Sequence, residues 1–115
     1  MMIKVEFLRD QSGRIQTVEF EGHANAAPYG SDIVCASVSA LAISTINGID
    51  ALAGITPQVQ VNEEDGGYLK CQIDSQMTQE QMNISQILLE NLYIAINTMQ
   101  EEYDDYIQVK TIHLN

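Results

Sequence analysis

A stretch without any charged side chain, residues 33–49, most constrains how this chain can fold. Two good N-cap residues, Ser31 and Asp32, precede it and Gly54 follows it, so the pattern predicts a helix from about Asp32 to Leu52. Its apolar residues form more than one stripe, and such a helix has to be covered on most sides. A sheet can cover one side, and a second helix or another subunit must cover the rest.

Alternating apolar residues predict two pairs of strands around this helix. Residues 3–8 and 15–20 alternate on the two sides of a turn that contains Ser and Gly, which predicts a hairpin. After the helix, residues 59–61 and 69–73 alternate on the two sides of residues 63–67, a Gly-rich and acidic turn. We therefore expect a second hairpin.

A second helix and a last strand complete the pattern. Thr78 and Gln81 have the capping-box spacing and predict a helix that runs to about Tyr103. Residues 106–114 predict the closing strand. The order strand, strand, helix, strand, strand, helix, strand predicts one α+β domain over residues 1–115, with antiparallel hairpins packed on two helices. This pattern leaves the strand order open.

A histidine and a cysteine stand close to the start of the first predicted helix. His23 lies in a loop of small residues, and Cys35 lies near the N-terminus of the helix. A thiol in the first turn is favoured as thiolate by the helix macrodipole, and a loop histidine could take its proton. Taken singly, Cys35 is typical of a small buried residue and His23 of a surface residue. Both interpretations remain open from the residues alone.

Residues 21–41, EGHANAAPYGSDIVCASVSAL, resemble the ribosomal-processing cysteine protease family Prp. The resemblance is carried by GHA, PYG and SDIVCASVSAL, and it extends to chain length and element order. It implies that His23 and Cys35 are the catalytic dyad of a cysteine endopeptidase that works through an acyl-enzyme without a cofactor. It also implies the substrate, a large-subunit ribosomal protein whose N-terminal extension is removed.

Asp32 and the loop before it are further candidates. Asp32 could cap the helix, orient His23 or contact a basic substrate residue, and we favour the cap. A carboxylate beside Cys35 would raise the pKa of the thiol and oppose the helix dipole. The candidate substrate-binding loop, which would need to move, consists of Gly22, Ala24, Tyr29, Gly30 and Ser31.

Backbone N–H groups around Cys35 are candidate oxyanion donors, because the first amides of a helix have no intrahelical partner. The identity of the N-cap decides which amides are free. If Asp32 is the N-cap, its carboxylate would accept a hydrogen bond from the N–H of Val34 or Cys35. If Ser31 is the N-cap, the N–H of Cys35 already bonds within the helix. The donors therefore stay open.

The charge balance limits the partners of the chain. Five basic and sixteen acidic side chains give a net charge of −11, which argues against direct nucleic-acid binding. The charge suits a basic partner such as a ribosomal-protein tail, or it serves solubility alone. A non-catalytic peptide-binding or ribosome-assembly module is the alternative function, in which His23 and Cys35 would be structural.

The cysteines and histidines predict neither a disulfide framework nor a metal site. Cys71 alternates with Leu69 and Ile73 and is expected to be structural, and His23 is far from His113 in sequence. We expect a reducing, cytoplasmic setting, no signal peptide and no membrane span. The apolar first helix favours a homodimer.

Overall fold

A computed structural model describes residues 2–22, 29–62, 67–74 and 76–114. They form the elements β1 (Ile3–Arg9), β2 (Ile15–Glu21), α1 (Tyr29–Gly48), a π-helical turn (Ile49–Ala53), β3 (Gln58–Asn62), β4 (Tyr68–Gln72), α2 (Gln79–Glu102) and β5 (Ile107–His113). The predicted order of elements and the α+β class are confirmed.

The five strands form one sheet in the order β3-β4-β2-β1-β5. Both predicted hairpins are antiparallel pairs, β1 with β2 and β3 with β4. The two hairpins join through an antiparallel β2–β4 pair, while β5 lies parallel to β1. Strand β2 is therefore central, and β3 and β5 are the two edges of the described sheet.

One face of the sheet is buried against both helices. On β1 the side chains of Ile3, Val5 and Phe7 are buried, as the alternation predicts, and Lys4 between them is exposed. The same core contains buried side chains from both helices, namely Val34, Val38, Ala42, Leu89, Leu92 and Ile96. The inward-facing side chains of the strands and those of the helices thus pack together in a single core.

Helix α1 begins earlier than the sequence predicts. Its first residue is Tyr29, whereas the prediction placed the N-cap at Ser31 or Asp32. Pro28 stands directly before the helix in sequence, and proline is tolerated at a helix start because it has no N–H to lose. The predicted stop is confirmed: Gly54 has φ 73°, and its N–H donates to the carbonyl of Asp50 at 3.1 Å.

The segment Ile33–Ala53 is helical and, by length and composition alone, long and apolar enough to cross a membrane. The expectation that no stretch could span a membrane was wrong by this criterion, because residues 33–49 carry no charge and Asp50 is the single charged side chain of the segment. Val34, Val38 and Ala42 of this segment are buried in the core. Core helices of soluble proteins have the same composition, so the feature is weak evidence for a span.

Helix α2 is anchored by polar side chains at several points. The capping box is confirmed, with Thr78 accepting from the Gln81 N–H at 3.1 Å and the Gln81 side chain accepting from the Thr78 N–H at 3.0 Å. The Gln86 amide bonds both backbone groups of Ile15. These bonds fix α2 against the start of β2, the strand that leads to His23.

Candidate active site

Gly22 closes the central strand directly before His23. It has φ 85°, and a Cβ at this position would lie 3.0 Å from the carbonyl oxygen of Met2. Its N–H donates to the carbonyl of Gly67 at 2.9 Å. A residue with a side chain would be strained by both its backbone and its neighbour. Gly22, predicted as a substrate-binding residue, thus has a structural role in ending β2.

The other predicted loop residues divide into two groups. His23 and Ala24 lie outside the described residues. Tyr29, Gly30 and Ser31 have helical backbone in α1, so their assignment to a loop was wrong. The structure does not describe the side chains of these three residues or of Asp32. A helix that begins at Tyr29 places Asp32 inside its first turns, which does not fit the N-cap role we favoured.

Cys35 is the seventh residue of α1, counted from Tyr29, and it lies in the second turn. The prediction of a first-turn thiol was therefore wrong, and the helix macrodipole, whose effect falls off within the first turn, supports a thiolate less than expected. The Cys35 side chain is partly exposed and packs against the hydrophobic core. A partly exposed thiol is accessible to a substrate.

The earlier helix start also decides which helical amides are free. In an α-helix each N–H bonds to the carbonyl four residues earlier, and only the first few lack a partner. The amides of Val34 and Cys35 come after that first turn, so they are not available as oxyanion donors. The amides of α1 that lack an intrahelical partner belong to its first residues, Tyr29 to Ser31.

Cys71 on β4 is the second cysteine and differs sharply from Cys35. Its side chain is 4% exposed, and it faces the core together with Leu69 and Ile73, as predicted. Burial raises the pKa of the Cys71 thiol to about 11. At neutral pH this group is a neutral, inaccessible thiol.

An apolar groove of about 360 Å³ lies between α1 and the β3 edge of the sheet. The apolar side chains that line it include Phe20, Leu69, Val59, Val61, Ile43 and Ile46. Its helix-side residues Ser39 and Ile43 follow Cys35 at steps of four, so they share one side of α1 with Cys35. Sequence reasoning missed this groove, because finding it requires knowing that β3 is an edge strand.

The residue types that bind metals are dispersed in the part of the chain that the structure describes. In residues 2–22, 29–62, 67–74 and 76–114, no three His, Cys, Asp or Glu side chains are grouped where they could hold an ion. His113 is exposed at the end of β5.

Comparisons with known proteins identify relatives along almost the whole chain. A family model described as cysteine protease Prp matches residues 2–108. The ribosomal processing cysteine protease Prp of Bacillus subtilis is 33% identical over 110 residues, which cover 96% of this chain and 97% of the relative. Relatives of this kind are cysteine peptidases.

Solved structures of similar chains have the same fold. A Streptococcus mutans protein matches with a TM-score of 0.90 and 34% identity, covering 98% of this chain and 96% of its own. The ribosomal processing protease Prp of S. aureus in complex with a substrate peptide matches with a TM-score of 0.77 and 27% identity, covering 96% of this chain and 99% of its own. A second S. aureus structure, with a covalently linked product peptide, has a TM-score of 0.73.

Proposed function

This chain belongs to the cysteine protease Prp family, and on that premise we propose that it removes the N-terminal extension of a large-subunit ribosomal protein. Family membership makes it a cysteine peptidase that acts on a peptide. The ribosomal substrate is supported by the names of its relatives in B. subtilis and S. aureus.

The contrast between the two cysteines carries the assignment of the nucleophile. A cysteine peptidase needs an accessible thiol, and this chain has only Cys35 and Cys71. Cys71 is 4% exposed, with a thiol pKa of about 11, which makes it a poor nucleophile. Cys35 is partly exposed on α1 and is the remaining choice.

The same argument applied to the two histidines favours His23 as the base. Strand pairing sets His113 beside Arg9, at the end of the sheet where β2 begins. Gly22 ends β2 at the opposite end, about 20 Å away over six residues of strand. Phe20 lines the same groove as Ser39, one helical turn after Cys35. Because Gly22 directly precedes His23 in sequence, we infer that His23 rather than His113 is the base.

In the proposed reaction Cys35 Sγ attacks the scissile carbonyl carbon while His23 takes the thiol proton. The C–N bond then breaks, His23 protonates the leaving amine, and a thioester to Cys35 remains. Water, deprotonated by His23, hydrolyses this acyl-enzyme and restores the thiol. The covalently linked product peptide in the S. aureus relative supports a covalent intermediate in the family. Donors to the oxyanion come from outside the interior of α1, since the Cys35 amide is used within the helix.

Variants of Cys35 and His23 test this proposal, with variants of the other cysteine and the other histidine as controls. Cys35→Ser and His23→Ala should fold and lose nearly all cleavage of the extended ribosomal protein, measured by mass spectrometry, with circular dichroism to confirm folding. Cys71→Ala and His113→Ala, the matched controls, should keep activity. The double variant of Cys35 and His23 should lose little more than either single one, because a nucleophile and its base act as a unit.

The competing function, a non-catalytic peptide-binding or ribosome-assembly module, predicts different results. In that case the parent protein would leave the extended ribosomal protein at full length. A folded Cys35→Ser that cleaves at the parent rate would refute the dyad itself. Membership of a peptidase family argues against the non-catalytic module.

We also propose a homodimer in a cytoplasmic setting. Apolar side chains on the helical layer remain exposed, among them Ile33 and Leu52 near α1 and Ile87 and Ile94 on α2. A second copy can cover such a surface. Light scattering should give twice the 12.8 kDa chain mass, and a monomeric mass would contradict the dimer. The cytoplasmic setting is supported by the two cysteines, neither of which forms a disulfide.

A further inference from the structure

Strand β3 is an edge strand without the features that usually protect an edge. Among the described strands it borders only β4, so one side of its backbone has no strand beside it. Edge strands are commonly blunted by charged side chains or by proline within the strand. Residues 58–62 are Gln-Val-Gln-Val-Asn and have neither. With respect to the described strands, this edge is therefore open to pairing with another extended chain.

The two valines of β3 face the helix side of the sheet, although neither of the described helices α1 and α2 covers them. Val59 is opposite Cys71 and Val61 is opposite Leu69, and directly opposed residues of an antiparallel pair share a face. Cys71 and Leu69 are buried, whereas Val59 is 40% and Val61 59% exposed. Across the groove from them Ile43 of α1 is 53% exposed. The groove thus presents apolar side chains from a sheet edge and a helix to the same space.

The groove begins about one helical turn after Cys35 and continues along α1. Ser39 is one turn after Cys35, and Ile46 lies about 10 Å further along the helix axis at 1.5 Å per residue. An extended peptide covers this distance with about three residues. A peptide held at Cys35 and lying beside β3 would therefore send every second side chain into the groove.

We propose that the groove binds an extended segment of the substrate peptide, which adds to the sheet as a strand beside β3. This inference rests on the proposed function and names what the enzyme recognises: apolar side chains at alternate positions near the scissile bond. Backbone hydrogen bonds to β3 supply affinity and the groove supplies specificity, as in other cases of strand addition. Basic residues that flank this segment suit the net charge of −11.

A charge placed on either face of β3 tests the groove. Val61→Glu puts a carboxylate on the groove side, whereas Gln60→Glu, the matched control, puts the same charge on the opposite face of the same strand. We measure binding of a fluorescein-labelled synthetic peptide of the ribosomal-protein extension by anisotropy, in a Cys35→Ser background, and cleavage of the same peptide in the Cys35 protein. Val61→Glu should weaken binding about tenfold or more, and Gln60→Glu less than about twofold.

Iodoacetamide labelling of Cys35, measured without peptide, should be the same in both variants and so confirm that the thiol is undisturbed. Equal binding by Val61→Glu and the parent, in a protein that cleaves, would overturn the strand proposal and leave the proposed function intact. A parent protein that cleaves nothing would instead overturn the proposed function. A change in solution mass on Val61→Glu would assign the groove to a second copy of this chain and overturn the peptide proposal.

N-methylation of the peptide backbone separates strand addition from simple apolar docking. Methylating one amide at a time should weaken binding at alternate residues, because only every second N–H of an added strand points to β3. Uniform small effects at all positions would exclude a strand beside β3. Moving the apolar residues of the peptide by one position should weaken binding too, since a one-residue shift sends every side chain to the other face.

Discussion

The N–H of Gly22 donates to the carbonyl oxygen of Gly67 at 2.9 Å, which ties the end of β2 to the residue that leads into β4. Gly22 has φ 85°, and a Cβ added there would lie 3.0 Å from the Met2 carbonyl oxygen, a tight contact. The backbone that leads into His23 is therefore held by its neighbours on both sides, β1 through Met2 and β4 through Gly67. A base needs such a fixed starting point to reach its thiol.

Gly22→Ala should therefore reduce both stability and cleavage. We expect a loss of about 1–3 kcal/mol in the free energy of unfolding, because a non-glycine residue is strained at positive φ and its Cβ would also displace the Met2 carbonyl. Urea unfolding and the cleavage rate measure the two effects. Gly13→Ala is the control: φ is 87° there, but no atom lies within 4 Å of the added Cβ. If both variants cleave like the parent, Gly22 does not position His23.

Iodoacetamide should label Cys35 well before Cys71 in the folded protein. Alkylation requires the thiolate and access, and Cys71 has neither at pH 8, with a pKa of about 11 and 4% exposure. The single variants Cys35→Ser and Cys71→Ala each report one labelling rate by mass spectrometry. Denatured protein should label both cysteines at similar rates. Faster labelling of Cys71 in the folded state would contradict the nucleophile assignment.

The raised pKa of Cys71 should make stability fall at alkaline pH. Between the pKa of an unfolded thiol and about 11, the unfolded state has lost the Cys71 proton while the folded state retains it. Unfolding then releases a proton, so the free energy of unfolding decreases as pH rises through this range, by up to about 2–3 kcal/mol. Urea titrations from pH 8 to 11 should show a shallower decline in Cys71→Ala. An identical slope would show that burial of Cys71 does not shift its pKa.

Asp32→Asn should lower kcat/KM and leave the melting temperature nearly unchanged. Since α1 begins at Tyr29, Asp32 is not its N-cap, and orienting His23 or contacting a basic substrate residue are the roles that remain. Measuring kcat and KM separately distinguishes the two roles, because loss of base orientation lowers kcat and loss of a substrate contact raises KM. A drop of several degrees in Tm with full turnover would return Asp32 to a structural role.

Added salt should slow cleavage at low substrate concentration. A net charge of −11 attracts a basic peptide over distances that ions screen. We expect kcat/KM to fall between about 0.05 and 0.5 M NaCl, while the rate at saturating substrate changes little. A peptide with its basic residues replaced by glutamine is the control. A salt-independent kcat/KM for the basic peptide would mean that the charge serves solubility alone.

The order of the elements was predictable because it depends on local patterns. The period-two alternation at Ile3, Val5 and Phe7, the capping box at Thr78 and the stop at Gly54 each act over a few residues, and all three are confirmed. The burial of Cys71 followed from the same alternation. The start of α1 was wrong by two to three residues, because Ser31 and Asp32 are compatible both with a cap and with helical backbone.

What the sequence by itself determined is the set of elements, the GH and DIVCA segments and the family that these residues resemble. Only the tertiary structure decided that β2 is central, that β5 is parallel to β1, and that β3 is an edge beside an apolar groove. Strand order depends on pairing between residues far apart in the chain, such as Phe20 with Leu69 and Val5 with Val109, and no local pattern encodes it. The exposure of Val59 and Val61 follows from that order alone: in a central strand the same alternation would bury them.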